Sequence, residues 1–165
     1  MSNAKVSIII VCMNNIENLF PCLDSIFKYN KTDFEIWVVA YLFSENNLNL
    51  LYSYNGIKII ERKEIRGFAE NNNLALKQVK TEYCFILNDD TLMKESVIDK
   101  LLDSFLVLPE ASVFSPCTVF PSGQIQSCGR PPMNWKTYVL SYLHLWNEQK
   151  TISEYTNKQG IFKSY

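Results

Sequence analysis

Two adjacent carboxylates, Asp89 and Asp90, follow a mostly apolar run, Tyr83 to Leu87, in the stretch EYCFILNDDT. A run of that composition is built for burial. Neighbouring like charges disfavour each other's ionised form, and partial burial sharpens the conflict. Water, a backbone donor, a basic side chain or a cation must offset it. A hard divalent cation takes oxygen ligands, and Mg2+ in particular uses one or two carboxylates and leaves its other positions to phosphates and water. Two carboxylates at a strand end, followed by the Thr91 hydroxyl, suit a site shared by metal and diphosphate. The competing reading is a strand-to-helix turn in which an Asp caps the next helix.

The elements that must position this pair alternate along the chain. Val6 to Cys12, Phe34 to Ala40, Ile57 to Glu61 and Tyr83 to Leu87 read as strands, the first two as runs buried on both faces. Between them, apolar residues return at helical spacing: Ile16, Leu19, Phe20, Leu23, Ile26 and Phe27 behind the cap Asn15, with Pro21 in the early turns. Residues 44–54 read as a helix capped by Ser44. Gly67 opens another, with Phe68, Leu74, Leu76 and Val79 as inward positions. Lys94 to Leu108 is a further helix, stopped by Pro109. Ala111 to Ser115 reads as a fifth strand, TVFPSGQIQS as a hairpin around Pro121-Ser122-Gly123, and the aromatic tail after Pro132 as helical in part. Strand and helix in this order imply βαβ units and a mostly parallel sheet flanked by helices. Such sheets bind ligands at the carboxyl ends of their strands. Cys12-Met13-Asn14, Ala40-Tyr41 and Asn88-Asp89-Asp90 would then be three edges of one crevice.

Composition narrows the function classes. The 165 residues are 47% hydrophobic and 20% charged, which suits one globular domain, taken as residues 5–165. With 16 basic and 17 acidic residues and a net charge of −1, no field of one sign is available to recruit nucleic acid or an anionic membrane. The longest apolar run, Ile36 to Phe43, is far short of the ~20 residues of a spanning helix. No signal peptide is read at the N-terminus, and a cytoplasmic location is expected. Five cysteines without a C-x-x-C signal neither a disulfide framework nor zinc. Cys117 and Cys128 would face each other across the hairpin, as thiols in a reducing cytosol.

Three stretches in this order and spacing, VSIIIVCMNN, RGFAENNNLAL and EYCFILNDDT, resemble the nucleotide-sugar domain of family 2 inverting glycosyltransferases. PSGQIQSCGR adds a likeness to the rhamnosyltransferase-like branch. The resemblance covers roughly residues 5–130, the nucleotide-sugar-binding core, and leaves 131–165 as a partly helical tail. It implies an α/β, Rossmann-like GT-A nucleotide-diphospho-sugar transferase fold. It also implies transfer of a sugar from a UDP- or dTDP-linked donor to a glycan or lipid-linked acceptor, with Mn2+ or Mg2+. By position, Asp90 would hold the metal against the donor diphosphate, and Asp89 would lie beside the ribose or the metal's water shell. Cys12 and Met13 match the strand-end pair that meets the nucleoside, with Asn14 next to them. Asn72 and Asn73 match a polar pair near the base or diphosphate, and Tyr41 could stack on the base.

The chain departs from that pattern in places. Ala40 stands where the family usually has a base-binding Asp, Met13 where it has an aromatic, and Ile65 where Asn is common. The family's general base lies in an acidic motif well beyond the hairpin. After Arg130 the acids are Glu148 and Glu154, in no such context, and the sole histidine, His144, reads as a packed residue. The catalytic base is therefore unassigned, and the chain is expected to stop before the acceptor half or to have diverged from it. The alternative is a catalytically inactive nucleotide-sugar-binding pseudoenzyme or interaction module of the same fold. A nucleotidyltransferase on a doubly wound sheet is the third reading, but CMNNIEN offers no phosphate-loop glycine. The tail aromatics call for a cover: a homodimer partner, the missing half, or peripheral contact with the inner face of a membrane.

Overall fold

In the computed structural model, which describes residues 4–64, 66–126 and 134–143, the first apolar run forms β1 (Val6–Met13). It is followed by α1 (Ile16–Tyr29), β2 (Phe34–Tyr41), α2 (Glu45–Ser53), β3 (Ile57–Arg62), α3 (Phe68–Leu76), β4 (Tyr83–Asn88), α4 (Val97–Val107) and α5 (Trp135–Tyr142). The four strands pair in the order β3-β2-β1-β4, all parallel. The first strand therefore lies inside the sheet, and β4, which carries the acidic pair, lies beside it.

Each face of the sheet has its own core. Ile8, Ile10 and Cys12 of β1 pack with Ile36 and Val38 of β2 against Leu19, Leu23 and Ile26 of α1 and Ile98 of α4. Ile9, Val11 and Val39 pack on the other face against Ala75 of α3. A strand covered on both sides needs apolar residues at every position, which is why β1 reads as an unbroken run rather than an alternation. Each fully buried isoleucine contributes about 1.5–3 kcal/mol. On β4 only one face is covered: Phe85 and Leu87 join the first core, while Cys84 and Ile86 are exposed.

The chain divides into two compact units, residues 1–110 and 111–165. In the second, the hairpin forms as read: Val119 bridges Ile125, and Gly123 N–H donates to Phe120 O (2.8 Å) to close the turn. Gly123 has φ +84°, a conformation that glycine adopts without the penalty a Cβ brings. The fifth strand does not form. Residues 111–115 are irregular, and Val113 is 82% exposed, because two bulky apolar side chains in five residues give a strand little to bury. The tail yields α5, on which Trp135, Tyr138 and Tyr142 are exposed. No helix among the described residues is long and apolar enough to cross a membrane. Ile65, Cys128, Arg130, His144, Glu148 and Glu154 lie outside the described residues.

Candidate functional site

Strand register gathers the expected crevice at one edge. Cys12 pairs with Ala40, Met13 with Tyr41, Tyr41 with Arg62, and Val11 with Asn88. The next residue on β4, Asp89, therefore comes level with Cys12. Asp89 and Asp90 are the two central residues of a turn. Thr91 closes it: its Oγ1–H donates to Asn88 O (2.8 Å), so the hydroxyl proton is spent on the turn. The capping reading does not hold. Helix α4 starts at Val97 behind Ser96, well past the turn, and neither Asp caps it.

The turn hangs on α1. The Cys22 thiol lies 3.7 Å from Asn88 O and 3.9 Å from Thr91 Oγ1. Ser25 Oγ donates to Cys22 O (2.7 Å) and accepts from Met93 N–H (3.0 Å). Asn30 Oδ1 accepts from Ile98 N–H (2.9 Å), and its Nδ2 donates to Ile26 O (2.9 Å). Polar residues at buried positions of an otherwise apolar helix face were the available signal for this support, and the sequence reading passed over them.

Two cysteines border the acids from below. Burial pushes the Cys12 thiol far up, and the neighbouring Asp89 carboxylate adds to the shift. Burial also pushes Cys22 up to about 11, partly opposed by the Thr91 hydroxyl. Both are therefore neutral, and neither adds charge to the site. Asp89 is half-buried and Asp90 exposed. No ion pair among the described residues involves either. No group of three His, Cys, Asp or Glu side chains among the described residues could hold a metal ion on its own.

The remaining candidates divide. Met13 is 56% exposed at the end of β1. Tyr41 is half-buried against the α3-side core. Asn14 takes a left-handed φ of +52°, and its Oδ1 accepts from Ser44 N–H (2.9 Å) and Asn47 Nδ2 (3.0 Å), fastening the β1 exit to the start of α2. Leu42, just after β2, has φ +55°. Two strands thus leave the sheet at this edge through non-glycine residues in a costly conformation. On α3, Asn73 is exposed, whereas Asn71 and Asn72 are buried. Their amide nitrogens donate to Arg66 O (3.3 Å) and Phe68 O (2.9 Å). Phe68, read as inward, is 56% exposed. Gly67 has φ −65°, and a Cβ there would meet nothing within 4 Å, so no close approach demands glycine. Arg66 is held by Glu64 (2.7 Å) and Glu70. Ala40 is buried in the α1-side core. Sequence reasoning missed Arg62, a charged residue ending an apolar strand at the carboxyl edge, and Asn71, hidden in a run of three asparagines.

Comparison with known proteins bears on this arrangement. The profile described as Glycosyl transferase family 2 matches residues 7–154. Poly(ribitol-phosphate) beta-N-acetylglucosaminyltransferase TarP of Staphylococcus aureus (strain N315) is 30% identical over 105 residues, covering 59% of this chain and 32% of TarP. S. aureus TarS 1–349 in complex with UDP superposes with a TM-score of 0.54 at 21% identity, over 62% of this chain and 32% of TarS 1–349. Mannosyltransferase PcManGT from Pyrobaculum calidifontis, in complex with GDP-Man and Mn2+, gives a TM-score of 0.52 at 21% identity, over 56% of this chain and 29% of PcManGT. The chain thus spans about a third of the length of these relatives. The fold is that of the GT-A transferases. With the profile matching most of its length, the chain belongs to glycosyl transferase family 2.

Proposed function

We propose that this chain is the donor-binding part of a metal-dependent, inverting glycosyltransferase that uses a nucleotide-diphospho-sugar. The observation that carries the reading is the Asp89–Asp90 turn, anchored on α1 at the carboxyl edge and without a basic partner among the described residues. Its donor set fits Mn2+ or Mg2+, since two adjacent carboxylates leave the other positions of such an ion to phosphate oxygens and water. Asp90, the more exposed, would hold the ion, and Asp89 would face its water shell or the ribose. A bound ion would offset the negative charge that develops on the departing nucleoside diphosphate. Met13, Asn14 and Tyr41 at the strand ends and Asn72 and Asn73 on α3 would line the nucleotide. The deprotonating base for the acceptor hydroxyl is a separate group.

The complexes of TarS with UDP and with UDP-GlcNAc make a UDP-linked sugar the first donor to test, with dTDP as the comparison. The acceptor would be a glycan or a lipid-linked acceptor, with a polymer the first to try, since TarP's name gives that protein poly(ribitol-phosphate). The reaction would take place in the cytoplasm. The exposed aromatics of α5 would be covered by a second copy, a further domain or a membrane surface.

Calorimetric titration of UDP with Mn2+ into the protein tests the site. Wild type should bind UDP in a Mn2+-dependent manner, and Asp90→Ala should abolish that dependence. Unchanged binding by Asp90→Ala would remove Asp90 from the site. A second reading, binding without turnover, is favoured by Ala40: buried in the core, it offers the base no carboxylate. Donor hydrolysis or transfer above background by this chain would exclude that reading.

A further inference from the structure

Among the described residues, three buried side-chain polar atoms lack a hydrogen-bond partner: Arg62 Nε, Asn71 Oδ1 and Asn72 Oδ1. Leaving such atoms unpaired is costly, so their location is informative. Arg62 ends β3 at the carboxyl edge, paired with Tyr41, which is paired in turn with Met13. Leu42 N–H donates to Arg62 O (2.8 Å) and ties the two strand ends together. Ile60 and Tyr41 both pack in the α3-side core, and side chains two apart on a strand share a face. Arg62 therefore lies on the α3 side, and the row Arg62, Tyr41, Met13 crosses the edge on that face. Asn71 and Asn72, 1% and 3% exposed, belong to α3, the helix packed on β1 and β2. The α3 side of this edge thus holds one donor still unmet, Arg62 Nε, on the strand next to Tyr41, and the helix that covers this face carries the two unmet acceptors. Arg66 is not equivalent, because its guanidinium is engaged by Glu64 and Glu70.

We propose that Arg62 is a specificity-determining residue for the donor base: its Nε–H donates to the C4 carbonyl oxygen of a pyrimidine stacked on Tyr41. The inference rests on the donor-binding reading above and adds what that site selects. It favours pyrimidines with an oxo group at C4, such as uracil, over cytosine, which carries an amino group at C4. In a site already built around a hydrogen bond, a ligand lacking the partner leaves the buried group unpaired and is rejected. This contact would supply a base selection that Ala40 does not.

The test is calorimetry with Mn2+ and three probes, UDP, CDP and pyrophosphate, on the full chain. The variants are Arg62→Met and Arg62→Lys; the lysine keeps the charge and most of the stem but removes Nε. Wild type should bind UDP at least about tenfold tighter than CDP. Both variants should weaken UDP about tenfold and narrow the UDP-to-CDP ratio to about threefold or less, with pyrophosphate binding unchanged. Thermal melts of the lysine variant separate this loss from unfolding. If UDP and CDP bind wild type equally, or if both variants keep the wild-type ratio, the role of Arg62 is overturned while the diphosphate site stands. If wild type binds none of the three probes, the donor-binding reading fails and this inference fails with it.

Discussion

Cys12 and Asp89 leave the sheet side by side: Val11 pairs with Asn88, and one residue on, the buried thiol, which donates to Asn15 O (3.5 Å), comes level with the carboxylate. A thiol held against a negative group in a dry setting stays protonated, and only the thiolate is a strong nucleophile.

Alkylation should therefore discriminate among the cysteines. At pH 8 a thiol pushed up to about 11, as Cys22 is, has on the order of 10⁻³ of its population as thiolate. In native protein treated with iodoacetamide, peptide mapping should find Cys12 and Cys22 protected and the exposed Cys84 and Cys117 modified. In urea all four should react. Rapid native labelling of Cys12 would contradict the packing described at the acidic turn.

Much of the frame was legible because burial writes itself into composition. All four strands start where the sequence placed them, and each runs one residue further: to Met13, Tyr41, Arg62 and Asn88. Apolar runs mark the buried part of a strand, but the hydrogen-bond ladder continues into the crevice lip, where composition no longer signals it. That final residue of each strand is where the candidate site lies, so the site was less legible than the fold. On α3, Leu74, Leu76 and Val79 pack inward as read, but Phe68 is exposed, and Asn71 and Asn72 are buried where hydrophobicity predicts exposure. The support of the acidic turn by Ser25 and Asn30 depends on contacts 68 residues apart along the chain, which local periodicity cannot report.

Asn14 offers a test of the left-handed strand exit. Asn14→Gly keeps the backbone conformation and loses the side-chain acceptor for Ser44 and Asn47, an expected cost of about 1 kcal/mol. Asn14→Ala adds the left-handed penalty and should cost about 2 kcal/mol. At this chain length that difference is roughly 2–4 °C in Tm between the two variants. Equal melting temperatures would remove the conformational argument.

Stability should fall in acid. Burial pushes Asp99 up, but hydrogen bonds from the Thr32 hydroxyl and from the N–H groups of Thr32 and Lys31 outweigh it and hold the carboxyl below its ordinary 3.8. Glu35 behaves likewise: partial burial is outweighed by Lys58, Trp37 and Ser7, which hold it below 4.5. A group depressed in the folded state contributes stability above its unfolded pKa and loses it as pH falls through the folded one. Urea midpoints should therefore be flat near neutrality and decline from about pH 4.5 downward. Asp99→Asn should lower the midpoint at pH 7 and shrink the acid decline. A variant as acid-sensitive as wild type would dissociate Asp99 from it.

Because Cys22, Ser25 and Asn30 suspend the segment from Asn88 to Ile98 beneath the sheet edge, the acidic loop arrives already ordered before any ligand does. Association would then draw little on the chain's conformational freedom. The same suspension makes α1 a chassis: a void opened at Leu23 or Ile26, in a core remote from solvent, would loosen the grip on an ion it never touches.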